Sequence, residues 1–255
     1  MEIPMTDVDR FNEEIQRNLK LWREKPVLKR VYRTFHETIA RQLPDLPRGL
    51  VVELGSGAAD ITKVIPGCMR TDIFSNPWIS RLENAYDLSF PDASVSALIL
   101  FDVFHHLRYP GAALREFHRV LSPTGRVIIF EPCISLLGLF IYGMFHDEPV
   151  ALKQPIQWEA PESWSPANLD YYAAQGNATR IFMHREIRIA DFGWRVLTIK
   201  RLSAISYVAS GGYSKPQMYP DKAFPLMRLI DKMCDLSPGI FATRLLVVLE
   251  KTVGA

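Results

Sequence analysis

The sequence predicts an α/β protein whose doubly wound, mostly parallel sheet carries helices on both faces. Three observations predict it. Short apolar runs at 50–54 (LVVEL), 95–101 (VSALILF) and 125–132 (GRVIIFEP) do not alternate with polar residues, which suits strands covered on both faces. Between them lie stretches with apolar residues at helical spacing. The first run stops in a glycine turn, Gly55-Ser56-Gly57. Strand and helix in alternation build parallel crossovers, and such sheets receive ligands beyond the carboxyl ends of their strands.

Taken in order, the chain opens with two expected helices. Val8, Phe11, Ile15 and Leu19 form one apolar stripe, and Leu28, Val31, Phe35 and Ile39 form the next. Pro26 fits a first helical turn, and Pro44 and Pro47 end the second helix. After LVVEL come a short helix at 60–65, a strand in CMRTDIF at 68–74, and the strand VSALILF. A helix at 110–121 buries Ala113, Leu114, Phe117, Val120 and Leu121; SPTG turns the chain into GRVIIFEP. Residues 132–180 mix an apolar stretch with a loop rich in Pro, Trp, Tyr and Asn, too long for a simple connection. RVLTIKRLSAISYVA at 195–209 reads as one long strand, residues 224–234 as a helix, and RLLVVLEK at 244–251 as a closing strand. The apolar run from Cys133 to Phe145 is shorter than the roughly 20 residues of a membrane span. It is expected as a buried helix or a wall of an acceptor pocket; an interfacial segment meeting a lipid-like substrate is the other reading.

Composition sets the outer bounds. The chain has 255 residues, of which 48% are hydrophobic and 23% charged, enough to bury a sizeable core. A net charge of +2, without blocks of like charge, gives no reason to expect nucleic acid or a membrane surface as partner. Cys68, Cys133 and Cys234 are too few and too scattered for a disulfide framework or a zinc motif, so no metal is expected. No signal-peptide pattern opens the chain, and a cytoplasmic location is the expectation. A homodimer is left open.

The motif VVELGSGAAD at 51–60 carries the most chemistry. Glycines in such a turn let the backbone approach a ligand without a Cβ in the way. The segment resembles the first motif of class I S-adenosylmethionine-dependent methyltransferases, in which an acidic residue precedes G-x-G; Glu53, Gly55 and Gly57 match it. A nicotinamide site is the rival for a turn of this kind, but Asp60 stands where the last glycine of GxGxxG would fall. The resemblance continues through NAYDLSFPDASVSALILFDVFHHL at 84–107 and LREFHRVLSPTGRVIIFEP at 114–132, with Asn84 in place of the common Asp and Ser96 in place of another.

That resemblance implies a Rossmann-like, seven-stranded sheet in a single domain with S-adenosylmethionine as cofactor. Residues 1–47 would form a helical cap, 48–131 the cofactor half, 132–192 an acceptor-side lid and 193–255 the completion of the sheet. It implies that Glu53, Gly55, Ser56 and Gly57 meet the methionine end, that Asp72 and Ile73 receive the ribose, and that Asn84, Ala85 and Tyr86 hold the adenine. Phe101 stands beside the expected methyl position. The acceptor is expected to be a small molecule, methylated on an oxygen of a sugar-like or secondary-metabolite compound.

An oxygen acceptor loses a proton as it is methylated, and a positioned base assists that step. His106, with His105 beside it, is the candidate, and His146 and Glu148 in MFHDEP could orient an acceptor hydroxyl. Trp158, Trp164, Tyr171 and Asn177 are the candidate acceptor-binding residues, although core packing would explain the aromatics about as well. Two other classes stay open: an accessory protein that binds S-adenosylmethionine or S-adenosylhomocysteine without catalysis, and a nicotinamide-dependent oxidoreductase.

Overall fold

The computed structural model describes residues 7–168 and 171–252. The side chains of Val8 and Phe11 lie outside the described residues. Two helices lead, α1 (Asp7–Glu24) and α2 (Pro26–Ala40), with Pro26 in the first turn of α2. The sheet strands are β1 (Leu50–Leu54), β2 (Met69–Asp72), β3 (Arg81–Leu82), β4 (Val95–Phe101), β5 (Leu121–Pro132), β6 (Trp194–Ser203) and β7 (Ala242–Lys251). The helices between them are α3 (Pro110–Val120), α4 (Leu136–Phe145), α5 (Ile205–Ser210), α6 (Phe224–Cys234) and α7 (Pro238–Phe241).

The strands form one sheet in the order β3-β2-β1-β4-β5-β7-β6. The first five are parallel, and β7 runs antiparallel to both β5 and β6. The central strands are apolar throughout because both faces are covered. Leu98 and Leu100 pack on one side with Leu114 and Phe117 of α3, and Ile99, Ile128 and Phe130 pack on the other with Val31, Phe35 and Ile39 of α2.

The structure departs from the sequence reading in places, each with a local cause. The helix expected at 60–65 is a single 3₁₀ turn, Ile61–Lys63, where Asp60 Oδ1 accepts from the Thr62 N–H at 3.1 Å. The long strand expected over 195–209 ends at Ser203 and α5 follows. The buried Asp231 on α6 accepts from the Ser206 N–H at 2.9 Å and from its hydroxyl, which satisfies the start of a helix.

The apolar run is helical but not buried. Only Gly138 and Tyr142 of α4 are buried, while Leu136, Phe140, Met144 and Phe145 are half exposed or more. The helix docks along one narrow stripe: a Cβ on Gly138 would lie 2.0 Å from the Cys133 carbonyl oxygen, and the Tyr142 hydroxyl donates to the Thr243 carbonyl at 2.6 Å. No helix among the described residues is long and apolar enough to cross a membrane.

Candidate active site

The carboxyl ends of β1, β2 and β4 open onto a cavity of about 370 Å³. Its floor is the glycine turn. Gly55 has φ +69°, and a Cβ there would lie 2.4 Å from Val103 Cγ2, so glycine is required twice over. At Gly57 a Cβ would meet nothing within 4 Å, because that position faces open space. The turn is pinned by two side chains. Arg70 Nη2 donates to the Gly57 carbonyl at 2.6 Å, and the Trp78 indole donates to the Ser56 carbonyl at 2.9 Å. Glu53 is buried, accepts from the Ser56 hydroxyl, and has Arg70 Nε at 3.7 Å. Burial raises its pKa to about 7, against the opposing pull of Ser56 and Arg70.

Of the residues singled out in the sequence, Gly55, Ser56, Gly57, Asp72, Ile73, Asn84, Ala85, Tyr86, His106, Glu148, Trp164 and Tyr171 line this cavity. Asp72 ends β2 with Oδ1 accepting from the Phe74 N–H at 3.2 Å; burial raises its pKa to about 6. Asn84 bridges to the 132–192 segment, donating to the Pro166 carbonyl at 2.7 Å while its Oδ1 accepts from the Tyr86 N–H at 3.0 Å. Trp164 packs edge-on against Tyr86 and Tyr109, with ring centroids 4.8 and 5.0 Å apart. Ile15 and Asn18 of α1 also reach the cavity.

Other expected residues stand elsewhere. Glu53 lies behind the turn rather than on the cavity surface, because Ser56 covers it. Phe101 points away from the cavity into an aromatic cluster, stacked on Tyr32 at 5.2 Å and edge-on to Phe130 at 5.1 Å. Trp158 lies against Gly111, where a Cβ would come within 2.6 Å of the indole, and packs on Phe192. Asn177 is buried and donates to the Tyr172 hydroxyl at 3.2 Å, so it supports a lining residue rather than being one. His146 does not line the cavity; its Nδ1 lies 2.7 Å from Gln175 Nε2.

One wall of the cavity is a polar cluster. His105 is buried, with Nδ1 2.5 Å from Glu131 Oε2 and Nε2 3.3 Å from Glu148 Oε2. His106 lies beside it, with Nδ1 2.9 Å from the Tyr172 carbonyl and Nε2 3.6 Å from Glu148 Oε1. Glu148 also accepts from the Tyr171 hydroxyl and from Gln175 Nε2, each at 2.9 Å. Burial by itself lowers the pKa of His105, but Glu131 and Glu148 outweigh it and hold the pKa at about 10. Burial, then the adjacent His105 charge, lowers the pKa of His106 to about 4. Burial works against ionisation of Glu148, yet the two histidines and Gln175 hold its pKa well below the usual carboxylate range.

Sequence reasoning missed the groups that hold this wall in place. Glu131 is fully buried at the end of β5 and accepts from the Val103 and Phe104 N–H groups at 2.8 and 2.6 Å. Asp102, at φ +55° on the cavity edge, pairs with the buried Arg244 of β7. The available signal was a charge inside an otherwise apolar strand, which both Glu131 and Arg244 present.

Residues 57–129 match the family model of a methyltransferase domain. The chain is 28% identical over 71 residues to probable polyketide synthase 10 of Dictyostelium discoideum, a match that takes 26% of this chain and spans 3% of that protein's length. In fold it is similar to the geranyl diphosphate C-methyltransferase of Streptomyces coelicolor A3(2), solved with Mg2+, geranyl diphosphate and S-adenosyl-L-homocysteine. That likeness has a TM-score of 0.51 at 15% identity and covers 86% of this chain and 78% of that one. A geranyl diphosphate methyltransferase solved with S-adenosylmethionine is similar at a TM-score of 0.50 and 12% identity, over 86% of this chain and 85% of that one. The chain shares with these proteins the fold whose strand ends frame the cavity.

Proposed function

We propose that the protein transfers the methyl group of S-adenosylmethionine to an oxygen of a small sugar-like or secondary-metabolite acceptor. The observation that carries the reading is the cavity at the strand ends, floored by a glycine turn and walled on one side by His106 and Glu148. The residues present fit the cofactor. Gly57 faces open space, so a ligand can lie against the backbone there, and the Asp72 carboxylate stands at the end of the next strand, suited to ribose hydroxyls. Asn84, Ala85 and Tyr86 line the same cavity, which supports a role for them at the adenine. Trp164, Tyr171 and Tyr172 give the acceptor side rigid amphipathic rings. Residues 7–47 would serve as a cap and 132–192 as a lid, which the Asn84–Pro166 contact supports.

When bound, the cofactor supplies a methyl group already activated on sulfonium sulfur. The protein's task is then to hold the acceptor oxygen in line with it and to receive the proton. Among the cavity-lining residues His106 is the group suited to that role. Its Nδ1–H is directed to the Tyr172 carbonyl, which leaves the Nε2 lone pair for the acceptor proton. With a pKa of about 4 it is neutral across the physiological range, so turnover should be flat near neutral pH and fall as pH drops through about 4–5.

Two measurements test the reading. Thermal unfolding with S-adenosylhomocysteine near 100 times its Kd should raise the midpoint by on the order of 5 °C, corresponding to about 2.7 kcal/mol. NAD should give no shift, and a shift with NAD alone would overturn the cofactor assignment. His106→Ala should keep the S-adenosylhomocysteine shift and lower turnover about 10²–10⁴-fold. Turnover at the wild-type rate in that variant would remove His106 from the proton-transfer role.

A further inference from the structure

We propose that His105, His106 and Glu148 form a binding site for one divalent zinc-type ion, with an open coordination position facing the cavity. The inference deepens the reading in which this wall handles the acceptor oxygen. One ligand atom from each residue lies within 4.8 Å of the others. The separations His105 Nε2–Glu148 Oε2, 3.3 Å, and His106 Nε2–Glu148 Oε1, 3.6 Å, one to each carboxylate oxygen, are at and just beyond the spacing of atoms that share one ion. Two atoms each about 2.0–2.1 Å from a tetrahedral zinc lie about 3.3–3.5 Å apart.

A second observation is independent of those distances. Both imidazoles are held by their Nδ1 atoms, His105 on the Glu131 carboxylate and His106 on the Tyr172 carbonyl. A histidine that ligates a metal usually donates its other ring N–H to a carboxylate or a backbone carbonyl, which fixes the tautomer and aims the free nitrogen at the ion. Here both anchors are in place, and both Nε2 atoms converge on one carboxylate. Glu148 is itself oriented by Tyr171 and Gln175.

Two imidazoles and one carboxylate suit zinc and its transition-metal neighbours better than magnesium, which prefers a shell of oxygens. His106 and Glu148 line the cavity, so a fourth ligand would come from that side. An acceptor hydroxyl bound there would be acidified by the ion and release its proton to solvent. The oxygen then attacks the methyl carbon, the C–S bond breaks, and its electron pair stays on sulfur as the neutral thioether. In this arrangement His106 is a ligand, and the ion does what its lone pair does in the metal-free chain.

The experiment strips the full chain with a chelator and titrates Zn2+ against a chromophoric competitor. One ion per chain with a Kd below about 1 μM is expected, weakened at least 10–100-fold in Glu148→Gln. Co2+ loaded into the stripped wild-type protein should give the visible absorption of a low-coordinate nitrogen–oxygen site, a readout that needs no variant to fold. No zinc binding up to about 100 μM, or binding that Glu148→Gln and His105→Ala leave unchanged, overturns the proposal. The S-adenosylhomocysteine thermal shift is measured on the same samples. A shift without metal binding would sink the metal site and leave the cofactor reading standing; metal binding without the shift would do the reverse.

Discussion

At Glu53, burial and the glycine turn meet in one carboxyl group. Its pKa is raised from 4.5 to about 7, so the neutral acid is the form the native state favours. The stability this contributes is fully present below pH 4.5 and is lost as pH rises through about 7. Glu53→Gln keeps a neutral side chain beside Ser56 at every pH. Relative to wild type, its urea midpoint should therefore improve steadily between pH 4.5 and pH 8, and parallel pH curves for the two proteins would refute the assignment. The sequence made Glu53 legible as the acidic member of a glycine-turn motif through the resemblance of 51–60 to a known motif. It could not show that Glu53 stands behind the turn, since that depends on Ser56 and Arg70 closing over it. Asn84, Asp72 and Tyr86 were singled out by the same resemblance, and all three line the cavity. Glu131 was not, because its partners Val103, Phe104 and His105 lie on another strand's loop.

Among the elements, α4 separates helix formation from burial. Gly138 and Tyr142 hold it down, and Phe140 points into solvent. Gly138→Ala would drive a methyl into the Cys133 carbonyl and should cost about 1–3 kcal/mol, whereas Phe140→Ser should stay within about 0.5 kcal/mol. Denaturant midpoints for the two variants check both, and equal costs would mean that α4 docks by another face. The sequence signalled the helix but not its docking stripe, because a run that is apolar all round has no periodicity to mark the covered side. The end of β6 was hidden differently. Residues 195–209 have continuous strand propensity, and the stop at Ser203 comes from Asp231, a distant buried carboxylate that accepts from Ser206.

On the scale of the whole molecule, the sheet ties the site to β7. Arg244 is buried beneath the cavity edge, paired with Asp102 and set 4.5 Å over the Tyr207 ring. Arg244→Met would leave the Asp102 carboxylate without its counter-charge and should cost about 3–5 kcal/mol. Adding Asp102→Asn should recover part of that loss, and additive effects of the two changes would show that they do not interact. The alternating pattern of runs made the parallel core of the sheet readable, but no periodicity announces a partner from 142 residues away. The same strand order bears on how the protein is made. β7 is translated after β6 yet lies between it and β5, so while residues 204–241 are being added β5 has a bare edge and β6 has no neighbour. At about 5–20 residues per second that interval lasts seconds. A nascent chain is then at its most adhesive, and a ribosome that pauses over those residues lengthens the exposure.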